Sequence, residues 1–124
     1  MKITDLKPTI VWKFFHQVTQ VPRPSKKEGK MIEFLESFAK EYKIAIKKDE
    51  AGNLLMSKPA TPGMEDRPVV VLQSHMDMVC EKNNGTKHDF DNDPIETIVD
   101  GEWLRANGTT LGACLLYTSP SPRD

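Results

Sequence analysis

Two stretches near the start of the chain carry apolar residues at helical spacing. The first runs from about residue 9 to residue 20, and the two prolines of "VPRPS" end it. Its apolar face consists of Ile10, Val11, Phe14, Phe15 and Val18. Ser25, followed three residues later by Glu28, matches a capping box and predicts a second helix from there. The apolar face of this second helix consists of Met31, Leu35, Phe38 and Tyr42.

The hydrophobic pattern changes from helical to strand-like after the second helix. "IAIKKDEAGNLLMSK" predicts two strands joined by a turn at residues 51–53, and "ETIVDGEWLRA" predicts a hairpin with Asp100 and Gly101 as its two-residue turn. "VVVLQ", residues 69–73, is a continuous apolar run typical of a strand buried on both faces. The pattern therefore predicts an α/β fold, with helices packed on a mixed sheet that holds residues 69–73 in its interior.

Composition and charge restrict the partners that the chain is expected to have. Its 124 residues suffice for one modest domain, and its 17 basic against 18 acidic residues leave a net charge of -1. This balance gives no basic surface for nucleic acid. We find no apolar stretch of membrane-spanning length and no secretory signal, and two cysteines are too few for a disulfide framework. We therefore expect a cytoplasmic protein without a nucleic-acid or membrane partner.

The apolar run ends on "HMD", which places His75 two positions before Asp77. If the strand continues, these side chains lie on the same side of it, because side chains alternate along a strand. Imidazole is a good zinc ligand, and a nearby carboxylate can fix its tautomer. The pair is therefore a candidate for half of a metal site. A lone His-x-Asp is also common by chance, and the two residues could simply hydrogen-bond to each other at a strand end, so both interpretations stay open here.

Other residues with potential chemistry have simpler interpretations. His16 is expected on the surface or in the packing of the first helix, and His88 in a polar loop that faces solvent unless a substrate reaches it. Cys80 is expected to be a buried, small apolar residue. The aspartates at positions 89, 91 and 93 resemble a calcium loop, but the required glycine and closing glutamate are missing at the right spacing.

Three longer segments carry a family resemblance. "VLQSHMDMVCEKN", "HDFDNDPIE" and "DGEWLRANGTTLGA" resemble the aminoacyl-histidine dipeptidases, also called peptidase D or Xaa-His dipeptidases. These belong to the dizinc aminopeptidases, aminoacylases and carnosinases, and "VPRPS" resembles their loop after the first helix. The resemblance covers residues from about 6 to 113. It implies that residues 1–113 are the incomplete N-terminal part of a metallopeptidase catalytic domain.

The resemblance also implies an activity and roles for particular residues. His75 matches the family's metal-binding histidine, and Asp77 matches the catalytic aspartate that orients this histidine. A complete enzyme would hold two zinc ions, or manganese or cobalt, and would hydrolyse dipeptides, particularly those ending in histidine. It could also form a homodimer. In the family, "GTTLGA" is followed by an aspartate that bridges the metals, whereas this chain has Cys114 there.

Residues 114–124, "CLLYTSPSPRD", follow "GTTLGA" without a transition and break a catalytic motif. We interpret them as a non-native tail joined to the head of a dipeptidase, and we expect few contacts from this tail. A genuine but divergent C-terminus rich in serine and proline is the alternative. With Cys114 in place of the bridge, we expect the chain as written to be inactive. The alternative to an enzyme is a non-catalytic α/β module that binds peptides or a protein.

Overall fold

A computed structural model of the chain describes residues 2–112. A short 3-10 helix, Ile3–Asp5, precedes α1 (Thr9–Thr19) and α2 (Gly29–Glu41). Four strands follow: β1 (Ala45–Lys48), β2 (Leu54–Ser57), β3 (Thr97–Asp100) and β4 (Trp103–Ala106). The predicted α/β class is therefore confirmed. The predicted boundary at residue 113 and the tail at 114–124 lie outside the described residues.

The chain divides into two compact units. The first unit comprises residues 2–31 and 76–112 of the described range, and the second unit comprises residues 32–75. Each unit contains one two-stranded antiparallel sheet, β3–β4 in the first and β1–β2 in the second. Parallel pairing among the described residues is a bridge between Pro24 and Met78 in the first unit. No described helix has both the length and the apolar character needed to cross a bilayer.

Helix α1 forms close to where its periodicity predicts it. It ends at Thr19, whose hydroxyl donates to the His16 carbonyl at 2.7 Å and whose side chain is fully buried. The two prolines that follow shortly afterwards prevent continuation. The predicted apolar face is only partly covered, since Ile10 and Val11 are exposed.

Helix α2 begins later than the capping-box pattern predicts. Its first residue is Gly29, and Ser25 lies in the preceding loop, so the prediction that Ser25 caps this helix is wrong. The Glu28 carboxylate accepts from the Lys26 backbone amide at 2.6 Å, and the Ser25 hydroxyl donates to Asp77. The Ser25 side chain therefore bonds to a residue distant in the sequence instead of capping α2.

The hairpin β1–β2 confirms the predicted turn at residues 51–53. The Asp49 carboxylate accepts from the backbone amides of Ala51 and Asn53 at 3.0 and 2.8 Å, and also from the Asn53 side chain at 2.8 Å. These bonds, the side-chain one most of all, hold the pKa of Asp49 below its ordinary value. The local aspartate signal therefore fixes this turn without help from distant residues.

The hairpin β3–β4 is also confirmed, but its turn is shifted by one residue. Asp100 pairs with Trp103, which leaves Gly101 and Glu102 as the two turn residues instead of Asp100 and Gly101. Gly101 has φ +59°, a conformation that glycine adopts without steric cost at the first position of a hairpin turn. Asp100 instead pairs with the Arg105 guanidinium across the hairpin.

The prediction that residues 69–73 form an interior strand is wrong. They lie in no strand, and the side chains of residues 69–72 are 78–93% exposed. Their backbone makes no hydrogen bond to another described residue. An apolar run forms an interior strand only where strands on both sides pair with it. Both described sheets are two-stranded hairpins, and each pairs only within itself. The run therefore lacks the neighbours that an interior strand requires.

The first unit has a small core that places the segment around Asp77. Its buried apolar side chains include Ile3, Met78 and Ile95. The Ile95 amide donates to the Thr19 carbonyl at 2.9 Å, which ties the approach to β3 to the end of α1. Because Met78 is buried in this core, its neighbour Asp77 has a fixed backbone position.

Candidate functional site

The loop that carries "VPRPS" lies beside the segment that carries Asp77. Pro24 and Met78 form the parallel bridge, and the Met78 amide donates to the Arg23 carbonyl at 2.9 Å. The Ser25 hydroxyl then donates to the Asp77 carboxylate oxygen Oδ2 at 2.5 Å. This loop therefore holds both the backbone next to Asp77 and one oxygen of its half-buried side chain.

A buried cation lies close to this carboxylate. The Arg23 side chain is 8% exposed, and its Nη1 donates to the Val18 carbonyl at the end of α1 at 2.7 Å. Burial lowers the pKa of Arg23 from its ordinary value, while the charges of Cys80 and Asp77 oppose that shift. Arginine remains protonated in proteins, so Arg23 contributes a positive charge on the inner side of the loop.

Cys80 belongs to the same environment and is half-buried, so it is less buried than predicted. Its Sγ donates to the Met78 carbonyl at 3.4 Å. Burial raises the pKa of the Cys80 thiol, and Arg23 opposes this shift. A thiol with a raised pKa is a weak nucleophile at neutral pH, so Cys80 has a packing role here.

His75 is exposed and lies in the second unit, in the irregular stretch that continues from residues 69–73. The predicted placement of His75 at the end of a strand is therefore wrong, because that strand is not formed. Among residues 2–112, no three His, Cys, Asp or Glu side chains come together to hold a metal ion. The described residues do not by themselves fit a two-metal centre, and Cys114, at the family's bridging position, lies outside them.

The start of the "GTTLGA" motif is hydrogen-bonded to the segment that follows Asp77. The Thr110 hydroxyl donates to the Val79 carbonyl at 2.7 Å, and the Thr110 amide donates to the Glu81 carbonyl at 2.9 Å. The Asn83 amide donates to the Gly108 carbonyl at 2.9 Å. Residues 79–83 therefore hold residues 108–110 on the same unit as Asp77.

The remaining histidines of the sequence analysis lie apart from these loops. His16, on α1, borders a cavity of about 380 Å³ in the first unit, and its Nδ1 is buried without a partner among the described residues. The prediction that His88 faces solvent is wrong in part. Its side chain is half-buried against Phe90 at a ring-centroid distance of 4.5 Å, and its Nε2 is buried.

The aspartates at 89, 91 and 93 make local and ionic contacts. The Asp89 carboxylate accepts from the Asp91 amide and the Asn92 side chain, which lowers the pKa of Asp89. Asp91 forms an ion pair with Lys27 at 2.6 Å. These carboxylates therefore shape the loop and hold it to the residues that precede α2.

Comparison with known proteins places the chain in context. No family model matches it. The cytosol non-specific dipeptidase of Escherichia coli K12 is 47% identical over 112 residues, which are 90% of this chain and 23% of that protein. The crystal structure of aminoacylhistidine dipeptidase from Vibrio alginolyticus matches with a TM-score of 0.87 and 46% identity, over 90% of this chain and 23% of that one. Over this stretch, the chain is similar in sequence and in fold to these two dipeptidases.

The family resemblance predicted from the sequence motifs is therefore confirmed, for a chain that spans about a quarter of the length of the relatives it matches. Sequence reasoning missed Ser25 and Arg23 as neighbours of Asp77. Their motif, "VPRPS", had been singled out as dipeptidase-like, but Ser25 was interpreted as a helix cap. Nothing local in the sequence indicates a partner that lies 52 residues away.

Proposed function

We propose that this chain is part of a metal-dependent dipeptidase that acts in the cytoplasm on dipeptides, particularly Xaa-His. The observation that carries the proposal is the match over 90% of the chain to two dipeptidases at 46–47% identity. One of these relatives is named a cytosol non-specific dipeptidase and the other an aminoacylhistidine dipeptidase. Both names support dipeptide hydrolysis, and the second supports the preference for Xaa-His.

In this proposal, His75 contributes a neutral imidazole nitrogen to a metal, and Asp77 orients the imidazole. When bound, a pair of zinc, manganese or cobalt ions would polarise the peptide carbonyl and activate a water molecule. A bridge, a general base and a second metal site need further ligands, so the part assigned to these two residues is limited to binding and orientation.

We also propose that the 124-residue chain does not hydrolyse dipeptides by itself. A carboxylate can span a metal pair with its two oxygens, whereas the thiolate of Cys114 offers one soft donor. His75 and Asp77 alone do not supply the base that passes a proton to the leaving amine.

The purified chain is expected to give no turnover of a Xaa-His dipeptide above a no-protein blank, with zinc, manganese or cobalt added in separate assays. The missing bridge and base are the physical reason. The matched control is His75→Ala in the same chain. Metal-dependent turnover that His75→Ala abolishes would contradict the prediction.

The family activity is best tested in a complete enzyme. We would replace the matched 23% of the Escherichia coli dipeptidase with the corresponding 112 residues of this chain. This protein, called the chimera below, is expected to hydrolyse Xaa-His dipeptides and to lose activity on chelation of its metals. A folded chimera without activity would favour the alternative of a non-catalytic binding module.

A further inference from the structure

We propose that Ser25 is a positioning residue of the dipeptidase site. In this proposal, its hydroxyl fixes one oxygen of the Asp77 carboxylate and thereby sets the orientation of that carboxylate. The inference rests on the proposed function, because it assigns Ser25 a part in that site. It adds a residue that the family motif around "HMD" does not contain.

The hydrogen bond joins two segments that are far apart in the sequence. The Ser25 hydroxyl donates to Asp77 Oδ2 across a separation of 52 residues. The terminal torsion of an aspartate is broad, so a carboxylate held only by packing samples a range of orientations. A fixed bond to Oδ2 restricts that range.

The loop holds Ser25 firmly on both sides. On one side, the Pro24–Met78 bridge and the bond from the Met78 amide to the Arg23 carbonyl fix the backbone. On the other side, the Lys27 amide donates to the Pro24 carbonyl at 2.9 Å. The hydroxyl is therefore held by a braced loop, as precise positioning requires.

Local roles for Ser25 do not account for its conformation. Helix α2 starts four residues later, at Gly29, so Ser25 does not cap it. The carboxylate that a capping box would use, that of Glu28, accepts from Lys26 and not from the Ser25 amide. The hydroxyl bond is thus directed to the site.

The test compares Ser25→Ala, Ser25→Thr and Ser37→Ala in the chimera. Ser25→Ala is expected to lower kcat by up to about 10-fold with KM unchanged, because Ser25 acts on Asp77, and changes to residues that orient a ligand directly cost about 10–100-fold. Ser25→Thr keeps a hydroxyl and is expected to restore most of the loss. Ser37 is exposed on α2, so Ser37→Ala makes the same chemical change away from the site and is expected to behave like the parent.

Two results would overturn the inference: a Ser25→Ala chimera with the parent's kcat, or a loss that Ser25→Thr does not relieve. An independent measurement uses the 124-residue chain and does not depend on activity. Urea unfolding of Ser25→Ala, Asp77→Ala and the double variant is expected to show coupling of about ten-fold in the unfolding equilibrium constant. Absence of coupling would also overturn the inference. An inactive parent chimera with intact coupling would count against the proposed function and not against the contact.

Discussion

Replacing His75 with alanine in the chimera is expected to remove one metal and nearly all activity. The imidazole is proposed to bind the metal directly, so its loss removes a ligand and is not compensated by reorientation of a neighbour. We expect kcat/KM to fall by more than about 100-fold, beyond the roughly 10–100-fold typical of residues that only orient a ligand. Metal content by mass spectrometry and steady-state kinetics on a Xaa-His dipeptide would measure both effects.

Asp77→Ala is the informative comparison for this prediction. It should cripple activity while it leaves more metal bound than His75→Ala does, since Asp77 is proposed to act through the histidine. Circular dichroism of each variant would establish that the fold is retained. Full activity in the His75→Ala enzyme would remove the basis for assigning the metal to this residue.

A second large effect is expected on stability, at Gly108. Its φ of +76° lies in the left-handed region, and a methyl carbon added there would lie 2.6 Å from the Thr86 hydroxyl and 3.2 Å from the Thr86 methyl. The backbone strain is expected to be about 1–2 kcal/mol and the steric overlap about 1–3 kcal/mol. We therefore expect Gly108→Ala to lower the free energy of unfolding by about 2–5 kcal/mol, measured by urea denaturation.

The chain offers a matched control for this substitution. Gly85 has φ +84°, and an added methyl there meets nothing within 4 Å, so Gly85→Ala carries the strain without the overlap. Thr86→Ala should recover most of the difference between the two variants when it is combined with Gly108→Ala. Equal losses at positions 85 and 108 would show that Thr86 does not restrict the site. The outcome matters because Gly108 anchors the "GTTLGA" segment through Asn83.

Elements with local signals were predicted well. The periodicity of α1 and the Asp49 turn act within a few residues, and the structure forms both. The late start of α2 was not predictable from the sequence, because the Ser25 hydroxyl bonds to the distant Asp77 carboxylate and does not cap the helix. The prediction that residues 69–73 are buried in a strand is wrong for a related reason. An apolar sequence shows that a segment can be buried. Whether it is buried depends on whether other strands of the fold lie beside it.

The candidate site shows the same division between local and distant information. His75 and Asp77 were found because two residues of the right type stand together in a family-like motif. Ser25 and Arg23 could not be found this way, since their relation to Asp77 exists only after the loop and the Met78 segment pair. The register of the second hairpin was off by one, because both Asp100 and Gly101 suit a turn and only cross-strand pairing selects between them.

The irregular stretch from residue 58 to residue 77 affects how the protein can be handled. All of its side chains up to residue 75 are exposed, and it contains no helix or strand, so it is an open substrate for proteases. Trypsin nevertheless has no site there, because Lys58 and Arg67 each precede a proline, and trypsin spares bonds to a prolyl nitrogen. An enzyme that cuts at apolar residues, such as chymotrypsin after Leu72, would instead cleave within this stretch. Tryptic resistance of this protein would therefore reflect sequence rather than a closed structure.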